Sequence, residues 1–320
     1  MQLATPTQKP TKNLKLPLLI FLIAAVAVAV FCLVTRANSD SNSAEESAEP
    51  TSAETAETEE AEAEPAPVSL DLQSVAEDWL APLSGTASII FYDPLTSETV
   101  ASINPTASYP TESLYKLFVV YAGYLETQAD TSLDANLNPT GLANFSLADP
   151  LANGYTYGEC LDLAIRESNS SCAESIWSLL GHEWLDTVVA NWGFTETSVS
   201  GLTSSASDML KIIQKYYAHT DLTAENWELI ADSFLNQPVT TADWRRGFPA
   251  GFTSSVDVYN KVGWYRETVQ QTWFRYHDVG WLHDQASGRD LLYVVMTKDI
   301  DNADIANLGR AVEAALRAQL

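Results

Sequence analysis

In the stretch "YPTESLYKLFVV" (109–120), Lys116 is the only basic residue between Arg36 and Arg166 of a chain whose formal net charge is -25. Leu114, Tyr115, Leu117, Phe118, Val119, Val120 and Tyr121 point all around a helix, and a helix apolar on every side is buried on every side. Lys116 is therefore expected in the interior. An ammonium group there is costly, and the usual relief is a lowered pKa that makes the amine a base near neutral pH. Ser113 lies three residues earlier, on the same helical face and at a helix N-terminus whose dipole favours a developing anion. The pair can act as a nucleophile beside its base. In the competing reading, Lys116 reaches the surface along its aliphatic stem and Ser113 merely caps a helix. Other chemistries lack a pattern. His182, His219, His277 and His283 show no metal-ligand spacing, and there is no phosphate-binding or dinucleotide glycine loop and no G-x-S-x-G elbow. No metal or cofactor is expected, and His277 and His283 are read as strand residues at the sheet surface.

The elements that must position Ser113 and Lys116 follow from periodicity. Leu72, Val75, Trp79 and Leu80 predict a short amphipathic helix over 70–80. "ASIIFYD" (87–93) and "TVASIN" (99–104) flank the turn-forming "PLTSE" and predict a hairpin. From Thr111 to about Leu235 the pattern is helical, with Gly, Asn and Pro between segments. Strand signals return at "VDVYNKVGW" (256–264), "QTWFRYHDVGWLH" (271–283) and "DLLYVVMTK" (290–298), before a closing helix over 301–316. The economical fold is α/β in the α+β sense: a five-stranded antiparallel sheet flanked by the terminal helices, with an all-helical subdomain inserted. A pocket is expected where sheet and subdomain meet.

Ahead of this domain the chain changes character. Leu16 to Val34 is an unbroken apolar run, about 28 Å long as a helix and enough to cross a hydrocarbon core. Lys9, Lys12 and Lys15 precede it. The expected organisation is a cytoplasmic tail (1–15), a transmembrane helix (16–35), an acidic linker (36–67) and an extracellular domain (68–320). A cleaved signal peptide is the competing reading of the apolar run. Asn38 to Pro67 carries Asp40, nine glutamates and no basic residue, too little apolar surface to offset its ordering entropy. The domain itself holds thirteen Lys or Arg against thirty-two Asp or Glu, so nucleic acid is not an expected partner. Cys160 and Cys172 fall on the extracellular side, on two helices joined by a short turn, where they could form a disulfide or remain buried thiols.

Thr156 and Glu159 have capping-box spacing at the start of one helix, and Ser168-Asn169-Ser170 sits where that helix must turn into the next. With "KVG" at 261–263 opening a strand, the order of motifs resembles the serine β-lactamases of class A and the related penicillin-binding D,D-peptidases, whose motifs are S-x-x-K, S-D-N and K-S/T-G. The resemblance covers residues 68–320, including "RGFPAGF" before the third motif. It implies that Ser113 attacks an amide carbonyl, that Lys116 takes its proton, and that the backbone N–H groups of Ser113 and Trp264 hold the oxyanion. Ser168 would relay a proton to the leaving nitrogen, and Lys261 would supply positive charge. Ser170, Val262 and Gly263 occupy substrate-binding positions, and Arg275 and Arg266 are candidate carboxylate ligands because arginine forks suit that geometry.

The chain also departs from the pattern. Asn169 stands for the aspartate, Ser170 for the asparagine that bonds the substrate amide, and Val262 for a hydroxyl that helps hold the carboxylate. The long loop that carries the family's deacylating glutamate is missing. Glu196 is the only carboxylate between Trp192 and Ser207, and its spacing suits a capping role. The expected function is a membrane-anchored extracellular serine hydrolase that cleaves a β-lactam or D-alanyl-type amide, with a non-catalytic cell-wall peptide-binding protein as the alternative. Oligomeric state is not legible in the sequence.

Overall fold

The computed structural model describes residues 68–128, 145–235, 247–267 and 274–320. The expected cytoplasmic tail, membrane span and acidic linker, and residues 271–273 of the fourth predicted strand segment, lie outside them. Among the described residues no helix is long and apolar enough to cross a membrane.

Five strands form one antiparallel sheet: β1 (Thr86–Asp93), β2 (Glu98–Ile103), β5 (Val256–Tyr265), β6 (Arg275–Asp284) and β7 (Arg289–Lys298), in the order β2-β1-β7-β6-β5. Period-two alternation sends successive side chains to opposite faces. Ile89, Phe91, Val262, Tyr293 and Val295 enter one core, packed beneath α1 (Gln73–Leu80) and α8 (Asn302–Gln319). Ile90, Val279, Trp281, Val294 and Met296 enter a second core with the helical subdomain. Both faces are covered, which is why β6 and β7 read as nearly continuous apolar runs rather than clean alternations. The predicted segments hold with shifts of a few residues. The first helix starts at Gln73 because Leu70 and Leu72 are buried ahead of it, with the Leu72 N–H on Val100 O. The last runs to Gln319 from an Asp301 cap.

The subdomain contains α2 (Tyr115–Leu125), α3 (Tyr157–Arg166), α4 (Ser170–Leu180), α5 (His182–Asn191), α6 (Ala206–Ala218) and α7 (Ala224–Phe234). Every residue of α2 after Tyr115 is buried, as its all-round apolar surface requires. Thr156 and Glu159 complete the capping box of α3. The block is not wholly helical. β3 (Tyr109–Pro110) and β4 (Thr203–Ser204) form a two-residue ladder, and the next amide, Thr111 N–H, bonds Leu202 O at 2.8 Å. This ladder fixes the chain just before Ser113.

Candidate active site

Ser113 lies in the 3-10 turn Glu112–Leu114 that leads into α2. Glu112 has φ +49, a left-handed conformation that a non-glycine residue keeps only when its surroundings impose it. Three contacts impose it here. Thr111 is tied to Leu202, His277 Nε2 donates to Pro110 O at 2.8 Å, and Arg275 Nε donates to Glu112 Oε1 at 2.5 Å. β5 closes against the same turn. A Cβ at Gly263 would stand 2.7 Å from Thr111 O and 3.2 Å from Ser113 N, so only glycine lets the strand come this near.

Lys116 has no exposed surface. Its Nζ reaches Ser113 Oγ at 3.2 Å, Ser168 O at 2.5 Å, Ser168 Oγ at 3.3 Å and Ser170 Oγ at 3.1 Å. Loss of water on burial lowers its pKa to about 8. Ser168, between α3 and α4, has φ +53. Its hydroxyl also accepts from Lys261 Nζ at 2.9 Å, while Lys261 donates to Val262 O at 2.7 Å. The Ser113 hydroxyl, the buried Lys116 amine, the Ser168 hydroxyl and the Lys261 amine therefore form one chain of hydrogen-bonding groups. Such a chain can take a proton from one oxygen and deliver it at another.

The other candidates fall in different places. Ser170 is exposed, and its hydroxyl accepts from Lys116 Nζ at 3.1 Å. The Val262 side chain is in the core beneath the terminal helices, so this residue brings a carbonyl and no side chain to the site. Trp264 follows Gly263 on β5 and is 37% exposed, while Arg266 lies past the strand end, half-buried. Arg275 is not an open fork awaiting a carboxylate, because Glu112 already engages its Nε. Asn169 caps α4, accepting from the Cys172 N–H at 3.0 Å. Cys160 and Cys172 are joined as a disulfide across the two helices that flank the Ser168 turn.

His277 corrects the surface reading given to it from sequence. It is fully buried under the Ser113 turn, accepting the Thr297 N–H on Nδ1 while Nε2 faces Pro110 O. Burial holds its pKa down at about 4, so the ring is neutral and braces backbone. His283 pairs with Asp290 at 2.7 Å. Glu196 is occupied near the start of α6: its Oε2 accepts from Ser205 Oγ at 2.5 Å and its N–H bonds Asp208 Oδ2. Sequence reasoning missed Glu112, and also Asp278, a fully buried carboxyl held by Asn260 and Tyr293 on the far face of the sheet. Adjacency to Ser113 was the available signal for Glu112. For Asp278 there was none, since its surroundings depend on strand register.

Comparison with known proteins adds an independent line. Residues 71–316 match the family described as "Beta-lactamase enzyme family". Among solved structures the chain is similar to a class A beta-lactamase from Bacteroides cellulosilyticus, with 14% identity and TM-score 0.61 over 78% of this chain and 100% of that one. PBP-A gives 15% identity and TM-score 0.61 over 79% and 100%. A beta-lactamase from Burkholderia phymatum gives 19% and 0.56 over 77% and 97%. At these identities the likeness to solved structures speaks for the fold. A comparison with curated proteins finds no match.

Proposed function

Because the chain belongs to the beta-lactamase enzyme family, we propose that it is a serine hydrolase that forms an acyl-enzyme on Ser113 with a β-lactam or a D-alanyl-type amide. The observation that carries this reading is the 3.2 Å contact between Lys116 Nζ and Ser113 Oγ in a setting where the lysine is fully buried. With its pKa at about 8, roughly a tenth of the amine is neutral at pH 7. The neutral Nζ accepts the Ser113 proton as Oγ bonds to the carbonyl carbon. The backbone N–H groups of Ser113 and Trp264 stabilise the oxyanion. As the C–N bond breaks, Ser168 gives its proton to the leaving nitrogen, and the Lys116 ammonium, 3.3 Å from Ser168 Oγ, restores it. Lys261 fixes Ser168 and attracts a substrate carboxylate. Glu196, engaged by Ser205, is assigned no part in deacylation, so the acyl-enzyme is long-lived.

We also propose that residues 16–35 anchor this domain to the membrane, with residues 1–15 cytoplasmic and the acidic linker leading to a domain on the outside. Supporting this are the length of the apolar run and the lysines before it. Alkaline extraction of membranes bearing the full chain tests it: release into the soluble fraction counts against the anchor. A second reading, a wall-peptide-binding protein without catalysis, draws on Val262, which offers no hydroxyl to a carboxylate. Labelling with a fluorescent penicillin separates the two. The hydrolase gives a band that Ser113→Ala abolishes, whereas the binding protein gives no covalent band and retains affinity after the same change.

A further inference from the structure

Glu112 sets a carboxylate one residue before Ser113, whose backbone N–H would hold the oxyanion. In the structure this charge is not left alone. Arg275 Nε bonds Glu112 Oε1 at 2.5 Å, and the two side chains are only 21% and 17% exposed. The guanidinium in turn packs on two rings that meet edge to face, with its carbon 4.9 Å from the Tyr265 centroid and 5.0 Å from that of Phe274. Lys298, beside Arg275 in the register of β6 and β7, also lies over the Phe274 ring at 5.5 Å. β6 thus grips the nucleophile turn twice, through His277 on Pro110 and through Arg275 on Glu112.

We propose that Arg275 is a positioning residue for acylation of Ser113, acting through Glu112: it holds the Glu112 side chain and cancels its carboxylate charge beside the oxyanion. The proposal rests on the acyl-enzyme reading above. It replaces a substrate-binding role for Arg275 with one satisfied inside the protein. An uncompensated carboxylate so near a developing oxyanion slows the step roughly 10- to 100-fold at the effective dielectric of a partly buried site. The sign of that effect distinguishes it from loss of packing, because removing the carboxylate as well removes the penalty.

The test is the second-order rate of acylation by a fluorescent penicillin, measured on the full chain for wild type, Arg275→Ala, Glu112→Gln and the double variant. Arg275→Ala falls roughly 10- to 100-fold, Glu112→Gln stays within a few-fold of wild type, and the double variant recovers most of the loss. Arg275→Lys, which keeps the charge, retains most of the rate and serves if Arg275→Ala does not fold. A double variant as slow as Arg275→Ala overturns the proposal, as does an Arg275→Lys variant that folds and is as slow as Arg275→Ala. Absence of label on the wild-type protein is a different failure: it removes the hydrolase reading, and the inference with it.

Discussion

Lys261 Nζ donates to Ser168 Oγ at 2.9 Å, joining residues 93 positions apart in sequence. The same oxygen stands 3.3 Å from Lys116 Nζ, so Ser168 is the link between the two cations.

Ser168→Ala breaks that link while leaving the Ser113–Lys116 contact in place. Acylation by a β-lactam is expected to slow about 100-fold, the usual scale for loss of a positioned proton relay. Stopped-flow measurement of acyl-enzyme formation reads it, and an unchanged rate would exclude Ser168 from proton delivery.

In the proposed acylation Lys116 acts in its neutral form, and burial brings its pKa to about 8. The neutral fraction grows as pH rises, so acylation increases tenfold per unit below about pH 8 and levels off above it. Lys116→Met removes the rise along with most of the rate. A flat profile between pH 6 and 9 in the wild-type protein would contradict the assignment of the base.

Asp278 carries a stability prediction with the opposite slope. Burial raises its pKa to about 7, against smaller opposing contributions from Asn260, Tyr293, the Phe248 backbone and Lys261. The folded protein therefore holds a proton that the unfolded chain releases near pH 4. Stability contributed by this group is full below that point and is lost as pH rises toward 7. Asp278→Asn keeps an acceptor for Asn260 and Tyr293 and removes the titration. It is expected to stabilise the domain by about 2 to 4 kcal/mol at pH 8 and hardly at all at pH 4, read by denaturant unfolding at both.

The Cys160–Cys172 bridge closes a short loop around the Ser168 turn, with a sequence separation of 12. By the loop-closure relation its removal costs about 3 kcal/mol. The Cys160→Ser, Cys172→Ser double variant should unfold at a lower temperature than the oxidised protein and be indifferent to reductant. Equal melting temperatures in oxidised and reduced wild type would show that the bridge contributes nothing.

Which of these features could be read from the chain depends on how local they are. Lys116 was legible because its neighbours leave no polar face on α2, and the helix buries it as that pattern demands. The S-x-x-K pair lies within one helical turn, so its spacing already fixed its geometry. The five strands were legible from composition because both faces of the sheet are covered. Contacts that join distant segments were not. Arg275 meets Glu112 across 163 residues, and no pattern in either stretch announces it. His277 was misplaced for the same reason: alternation fixes which face it shares with Val279 and Trp281, but not that the Ser113 turn lies on top of it. Val262 illustrates the limit of motif reading, since its position in the third motif says nothing of the core that claims its side chain.

The most direct measurement is the intact mass of the protein after incubation with penicillin G, followed over time. The expected result is one adduct of the whole penicillin mass, persisting for hours after free drug is removed and absent from Ser113→Ala. An unchanged mass at high drug concentration, or an equal adduct on Ser113→Ala, would contradict the assignment of Ser113 as the nucleophile.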